Sequence, residues 1–211
     1  ELADKLCTES SSLLAIRINN EVCALGTPID INATVEPILR GTKTGSDVYR
    51  RSLCFILAAA AHSCYPDVRL LIGHSLGYGF YYTLESDKPL KSDTIQQIKA
   101  KMRILIEKNL PIKTDVLSYQ DALVLFEKVG QTETRKQLNF ICPPKITVNT
   151  MEDYSDMYYG PLVDSTGKIP LFDLMPYGEG FLLQFPSTDK PDSLPVFEDI
   201  PKLFGVYSRY K

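Results

Sequence analysis

Leu70-Leu-Ile-Gly-His-Ser-Leu-Gly-Tyr-Gly-Phe-Tyr-Tyr-Thr-Leu84 sets how the rest of the chain is read. An apolar run enters a turn region carrying Gly73, Gly77 and Gly79, then leaves as an aromatic, β-prone run. Glycine admits the positive φ that a tight reversal needs. The stretch therefore predicts two strands joined by a glycine-rich turn.

Inside it, Gly73-His74-Ser75-Leu76-Gly77 also matches the G-x-S-x-G pattern of a serine nucleophile elbow. That elbow requires a strand before the serine and a helix after it. Asp67 to Ile72 can supply the strand. The sequel, Tyr78-Gly79-Phe80-Tyr81-Tyr82-Thr83, is poor helix and good strand. The two histidines, His62 and His74, both precede Ser75, whereas the elbow's fold places its histidine downstream. Without that base the hydroxyl is not activated. A GHSLG serine hydrolase ranks third among the functional readings.

The chain has 211 residues, 44% of them hydrophobic, enough for one large domain or a small one plus a medium one. A formal charge of −3 gives no global attraction to nucleic acid or an anionic membrane. No apolar run reaches about 18 residues and no basic-then-apolar leader opens the chain, so no membrane contact is expected. Five cysteines (7, 23, 54, 64 and 142) form an odd set without a C-x-x-C pair. That pattern fits reduced thiols in a cytoplasmic chain, not a disulfide framework or a zinc cluster.

Upstream of the hairpin, Glu1 to Leu6 reads as the end of a helix, Leu13 to Ile18 as a strand, Asn19-Asn20 as a turn and Glu21 to Leu25 as its partner. Ala33 to Ile38 adds another strand. A piece of about forty residues is thin for an independent core, and its first strands are expected to be missing. Gly41 to Ser46 reads as a linker. It fails the phosphate-loop pattern because Ser46-Asp47 follows Gly45 where Lys-Ser/Thr is required. Ser46 or Asp47 is expected to cap a buried helix through about His62, ended by Tyr65-Pro66-Asp67.

Downstream, Ile95, Ile98, Met102, Leu105 and Ile106 stand at helical spacing after Ser92. Lys99, Lys101, Arg103 and Lys108 on that helix read as a solvated face. Ile112 to Leu117 is a strand, and Ser118 with Asp121 opens a helix that Gly130 closes. A short helix is expected near Thr132 to Leu138. Beyond Pro143-Pro144 come short strands at Ile146 to Met151, Tyr158-Tyr159, Ile169 to Leu174 and Gly180 to Phe185. Ser187 to Pro195 is a polar connector, and Val196 to Lys211 an amphipathic helix.

Taken together, these stretches resemble the N-terminal editing domain of threonyl-tRNA synthetase. Leu71-Ile-Gly73 followed by Gly79-Phe-Tyr-Tyr82 is similar to that family's IGP…xGFYY hairpin. Glu107-Lys-Asn-Leu-Pro-Ile112, Ser118 to Gly130, Tyr154-Ser-Asp-Met157 with Gly160-Pro161, and Phe172-Asp-Leu-Met175 follow in the family's order. Residues 1–38 resemble the later part of a TGS domain, a small ubiquitin-like module. The resemblance implies an α+β fold: a partial TGS-like piece at 1–41, a mixed or antiparallel-sheet domain with packed helices at 42–190 (editing-like, SAD-like), and a connector at 191–211.

The family carries H-x-x-x-H on its first helix and C-x-x-x-H after the Asp-Met pair. Residues four apart share a helix face, so such a set converges on one site. The matching positions here are Arg51 and Phe55, then Tyr158 and Leu162. Phe and Leu offer no lone pair, Arg is no base, and tyrosine near its ordinary pKa is a poor one at neutral pH. No catalytic residue and no metal site are expected. A guanidinium on the cleft floor suits a phosphate or carboxylate, and Tyr82, Tyr158 and Tyr159 offer rings to a base. Each has a plainer reading, as a surface arginine beside Arg50 and as core or rim tyrosines.

The tail Ile200-Pro-Lys-Leu-Phe204 through Tyr210-Lys211 resembles the junction that precedes the kinase domain in uridine-kinase-like (phosphoribulokinase-like) nucleoside kinases. On that resemblance the chain is expected to be a non-catalytic, regulatory N-terminal region. Its partners would be a nucleotide or other small anionic ligand and its own C-terminal kinase domain. ATP and Mg would belong only to that kinase domain beyond Lys211, which would make the parent protein a phosphotransferase. The alternative is an RNA- or aminoacyl-tRNA-binding module derived from threonyl-tRNA synthetase.

Overall fold

The computed structural model describes residues 12–77, 79–86, 93–141, 143–199 and 201–209. The expected helix end at Glu1 to Leu6, Ser92, and the last two residues of the tail lie outside them, as do Cys7 and Cys142. Among the described residues, Cys23, Cys54 and Cys64 are free thiols.

The 70–84 stretch folds as a hairpin. Strand β4 (Arg69–Leu76) pairs antiparallel with β5 (Gly79–Glu85), and Gly77 takes φ +58° in the turn. Ser75 lies inside β4 opposite Phe80, with a bulge between Ile72 and Ser75. A strand, not a helix, follows the serine, so the elbow geometry of a hydrolase is not built. The fold is α+β with three antiparallel sheets. Strands β1 (Leu13–Ile18), β2 (Glu21–Cys23) and β3 (Val35–Leu39) form a sheet in the order β2-β1-β3. The hairpin joins β9 (Asp173–Tyr177) and β10 (Gly180–Gln184) in the order β4-β5-β10-β9. The third sheet orders β6 (Lys113–Ser118), β7 (Lys145–Met151) and β8 (Tyr154–Met157) in sequence.

Helix α1 (Lys43–Cys64) is the spine. Leu53, Phe55, Ile56, Leu57 and Ala60 are fully buried, and the four alanines at 58–61 carry no bulky side chains to hold neighbours away. One continuous core joins α1 to Leu14, Ala15 and Ile38 of the first sheet, to Tyr82, Phe181 and Leu183 of the second, and to α2 (Thr94–Glu107) through Ile98, Met102 and Leu105. A satellite core forms where α3 (Tyr119–Lys128) and α4 (Thr132–Leu138) cover β7. The last helix, α5, is Pro201–Arg209.

Several sequence boundaries move; β2 ends at Cys23, β3 runs Val35–Leu39 and the last helix begins at Pro201. Helix α1 starts at Lys43 because Thr42, not Ser46 or Asp47, is its cap: Gly45 N–H donates to Thr42 Oγ1 at 3.0 Å. Gly45 fits within the first turn because a side chain there would overlap the Leu39 carbonyl oxygen. The strand expected over 169–174 is shifted to Asp173–Tyr177, an edge position that tolerates Pro176. Tyr158-Tyr159 is not a strand; β8 ends at Met157, and the chain turns at Gly160, φ +105°. Because Thr42 ties the spine's first turn, Thr42→Ala is expected to lower stability by about 1 kcal/mol, read as a shift of the urea midpoint.

Candidate functional site: a filled cleft between α1 and the 158–163 segment

Arg51 and Phe55 stand four residues apart, on one face of α1, and the 158–163 segment crosses that face. Phe55 is fully buried; its ring meets Tyr158 edge-on at a centroid distance of 5.6 Å and Tyr154 at 5.4 Å. Leu162 is also fully buried. Arg51 Nη1 donates to the Pro161 carbonyl at 2.8 Å. The guanidinium lies against Gly160, where an added Cβ would sit 2.9 Å from Nη1. The four positions matched by sequence thus meet at one place, and hydrocarbon plus one guanidinium fills it.

Two neighbours on α1 anchor the chain, Ser52 within the crossing segment and Tyr49 beyond it. Ser52 Oγ donates to Val48 O at 2.8 Å and accepts from Val163 N–H at 3.0 Å. Tyr49 hydroxyl donates to Leu171 O at 2.9 Å and accepts from Leu171 N–H at 2.8 Å. Sequence reasoning passed over both. The available signal was a polar residue at positions that helical periodicity buries, which implies a specific partner.

Of the four candidate ligand-binding residues, Arg51 and Tyr158 lie in this place. Tyr82 sits one layer deeper, 1% exposed and stacked on Phe181 at 17°, with its hydroxyl donating to Cys54 Sγ at 3.0 Å. Tyr159 is 72% exposed. Burial pushes the Tyr158 and Tyr82 phenols well above their ordinary range and raises the Cys54 thiol, the Tyr82 hydrogen bond only partly opposing that rise. Burial thus favours the neutral phenols and thiol over their anions. Burial also draws Arg51 down from its ordinary value, opposed by Asp47 and Cys54; an arginine nonetheless stays protonated. Among the described residues no group of three or more His, Cys, Asp or Glu side chains could hold a metal ion, and no helix is long and apolar enough to cross a membrane.

Beside the cleft, Asp156 accepts from Met157 N–H at 2.7 Å, from Thr134 hydroxyl at 2.8 Å and from Tyr154 hydroxyl at 3.0 Å. Burial nevertheless raises its pKa above the ordinary carboxylate value, outweighing those three bonds. The native state therefore keeps this proton to higher pH than the unfolded state. Its contribution to stability is present below an unfolded pKa of about 4 and is lost as pH rises through the folded value. Asp156→Asn is expected to remove that loss. Urea midpoints from pH 4 to 7 should fall less steeply with pH in the variant than in the parent.

No protein-family model matches the chain. The chain is homologous to threonine–tRNA ligases. It is 31% identical to that of Acidithiobacillus ferrooxidans over 162 residues, 76% of this chain and 25% of the ligase. The Bacillus velezensis ligase is 34% identical over 164 residues, and the Hyphomonas neptunium ligase 31% over 165, each match covering 77% of this chain and 25% of the ligase. The chain spans about a quarter of the length of the curated relatives it matches. These relatives overturn the reading of the chain as a regulatory region of a uridine-kinase-like nucleoside kinase. The tail that suggested it has a local explanation, since Phe204 packs edge-on against Tyr177 at 4.7 Å and Tyr81 at 5.2 Å.

Proposed function

We propose, with homology to a quarter of threonine–tRNA ligase as the premise, that this chain is an RNA-binding module whose ligand is tRNA or aminoacyl-tRNA, and that it binds without hydrolysing. The observation that carries the second half is the filled cleft. Phe55 and Leu162, both fully buried, occupy positions where hydrolysis would need a base or a metal ligand. Arg51 keeps its charge at the cleft edge and suits a phosphate, while the exposed Tyr159 ring suits an unstacked base. Tyr82, buried, and Tyr158, half-buried, support the surface from beneath.

A net charge of −3 limits the number of phosphates engaged. Two or three contacts give a slope of log affinity against log salt of about −2. Fluorescence anisotropy with threonine-specific tRNA, charged and uncharged, from 50 to 200 mM salt tests this. Tyr159→Ala is expected to weaken binding by about tenfold, one stacked base being worth roughly 1–3 kcal/mol. Arg51→Ala should flatten the salt slope by about 1. The half-life of the aminoacyl ester should not change when the protein is added. Absence of binding at 50 mM salt would sink the RNA reading, and faster deacylation would sink the non-hydrolytic one.

A further inference from the structure

Side chains along β10 alternate across the sheet. Leu182 packs with Leu76 and Tyr81 on the face away from α1, and Gln184, two residues on, shares that face. Gly79 stands in register between Leu76 and Gln184. It brings no side chain, so space opens beside the carboxamide. The 187–198 segment and α5 cross over this face. Asp192 Oδ1 lies 3.4 Å from Arg40 Nη1, the Tyr177 hydroxyl donates to Asp199 Oδ1 at 2.5 Å, and Phe204 packs on Tyr177. Between this roof and the sheet is a cavity of about 390 Å³, at the small end of the range for small-molecule sites.

The sign of the cavity's charge is what selects a ligand. Asp189 and Glu198 line it, and among the described residues neither carboxylate is ion-paired or hydrogen-bonded, unlike Asp192 and Asp199 of the same roof. Lys190 offsets one of the two, and the balance stays negative. On the floor, Gln184 is only 8% exposed, and among the described residues its side-chain amide has no hydrogen-bond partner. Its carbonyl oxygen is therefore open to a donor. Tyr177 and Phe197, edge-on to each other at 5.7 Å, add ring surface, which attracts a cation. An acceptor below, unpaired carboxylates at the rim and rings at the side complement an ammonium group, which brings N–H donors and positive charge. Leu76 and Leu182 suit an apolar body behind it. The same rim repels phosphate, so it disfavours a nucleotide or an RNA strand.

We propose that this cavity binds a primary ammonium group carried on a short apolar body. It lies on the face of the sheet opposite α1 and Arg51, so it stands independently of the RNA-binding cleft. Titration calorimetry on the protein with phenethylammonium, phenethyl alcohol and hydrocinnamate tests it, because the three share a ring and differ in charge. The ammonium should bind about tenfold more tightly than the alcohol, and the anion more weakly than either. Asp189→Asn and Glu198→Gln, both at exposed positions, should each weaken the ammonium several-fold while leaving the alcohol and the melting temperature unchanged. Gln184→Leu should weaken ammonium and alcohol alike, since both donate to the same carbonyl. A folding defect in that buried variant cannot imitate the charge-selective loss in the two rim variants. Acetyl-lysine amide with a free side-chain amine, titrated in parallel, separates two sources of the group. Tighter binding than phenethylammonium identifies a partner protein's lysine, and weaker binding a free amine. Equal affinity for ammonium and alcohol, preference for the anion, or no binding of the ammonium at millimolar concentration overturns the proposal. So does ammonium binding that both rim substitutions leave unchanged. Loss of tRNA binding in Arg51→Ala bears only on the cleft.

Discussion

Phe55→Ala is expected to lower the unfolding free energy by about 3–5 kcal/mol. The ring is fully buried at the centre of α1 and touches both Tyr154 and Tyr158. Deleting it removes the transfer free energy of the aromatic group and leaves a hole that its neighbours close poorly. Tyr154 is tied through its hydroxyl to Asp156, and the 158–163 segment is held by Arg51 and Ser52. Against a typical total of about 5–15 kcal/mol the loss is large, and for a chain of this size it lowers the melting temperature by on the order of 10 °C. The variant also separates packing from chemistry. It empties the position without supplying a base, so aminoacyl-ester hydrolysis should stay absent while stability drops. Calorimetric melting and an ester half-life on the same preparation check both. A Phe55→Ala protein as stable as the parent would show that the cleft is not filled as described.

How far the sequence could be read depends on which interaction fixes each feature. The β4–β5 hairpin was legible because its determinants are local: glycines at the turn and an aromatic run that suits strand. The Ser118 cap was legible for the same reason, and Asp121 N–H does donate to Ser118 Oγ. The start of α1 was misjudged because a threonine cap competes with Ser46 and Asp47, and the choice is settled at a distance, by the Leu39 carbonyl that only Gly45 can approach. The meeting of positions 51, 55, 158 and 162 followed from helix periodicity and the family resemblance. Their contents did not: the edge-on rings, the Gly160–Arg51 contact and the Ser52 and Tyr49 anchors are all long-range. The apolar tail was misassigned for a related reason. Amphipathic spacing shows that a helix needs a partner but not which one, and here the partner is the outer face of the chain's own sheet.

That sheet supplies the other large effect. Gly180→Ala is expected to cost about 3 kcal/mol, the upper end for overpacking. A Cβ at this position would overlap the Tyr82 carbonyl oxygen and would also lie 2.9 Å from Tyr81 Oη and 3.0 Å from Thr83 Cγ2. The hydroxyl can swing aside; a carbonyl in a strand ladder cannot. Strands β10 and β5 must therefore separate where Phe181 faces Tyr82 in register. Phe181 and Leu183, 1% and 0% exposed, would lose packing together. Gly26→Ala is the matched control, because no heavy atom lies within 4 Å of a Cβ built there. Without a contact to break, it should leave stability unchanged or raise it by about 0.4–1 kcal/mol through the lower entropy of the unfolded chain. Paired urea titrations therefore ask whether backbone approach at β10, rather than loss of glycine as such, holds the sheet together. Equal effects from the two substitutions would remove the Tyr82 carbonyl from the argument.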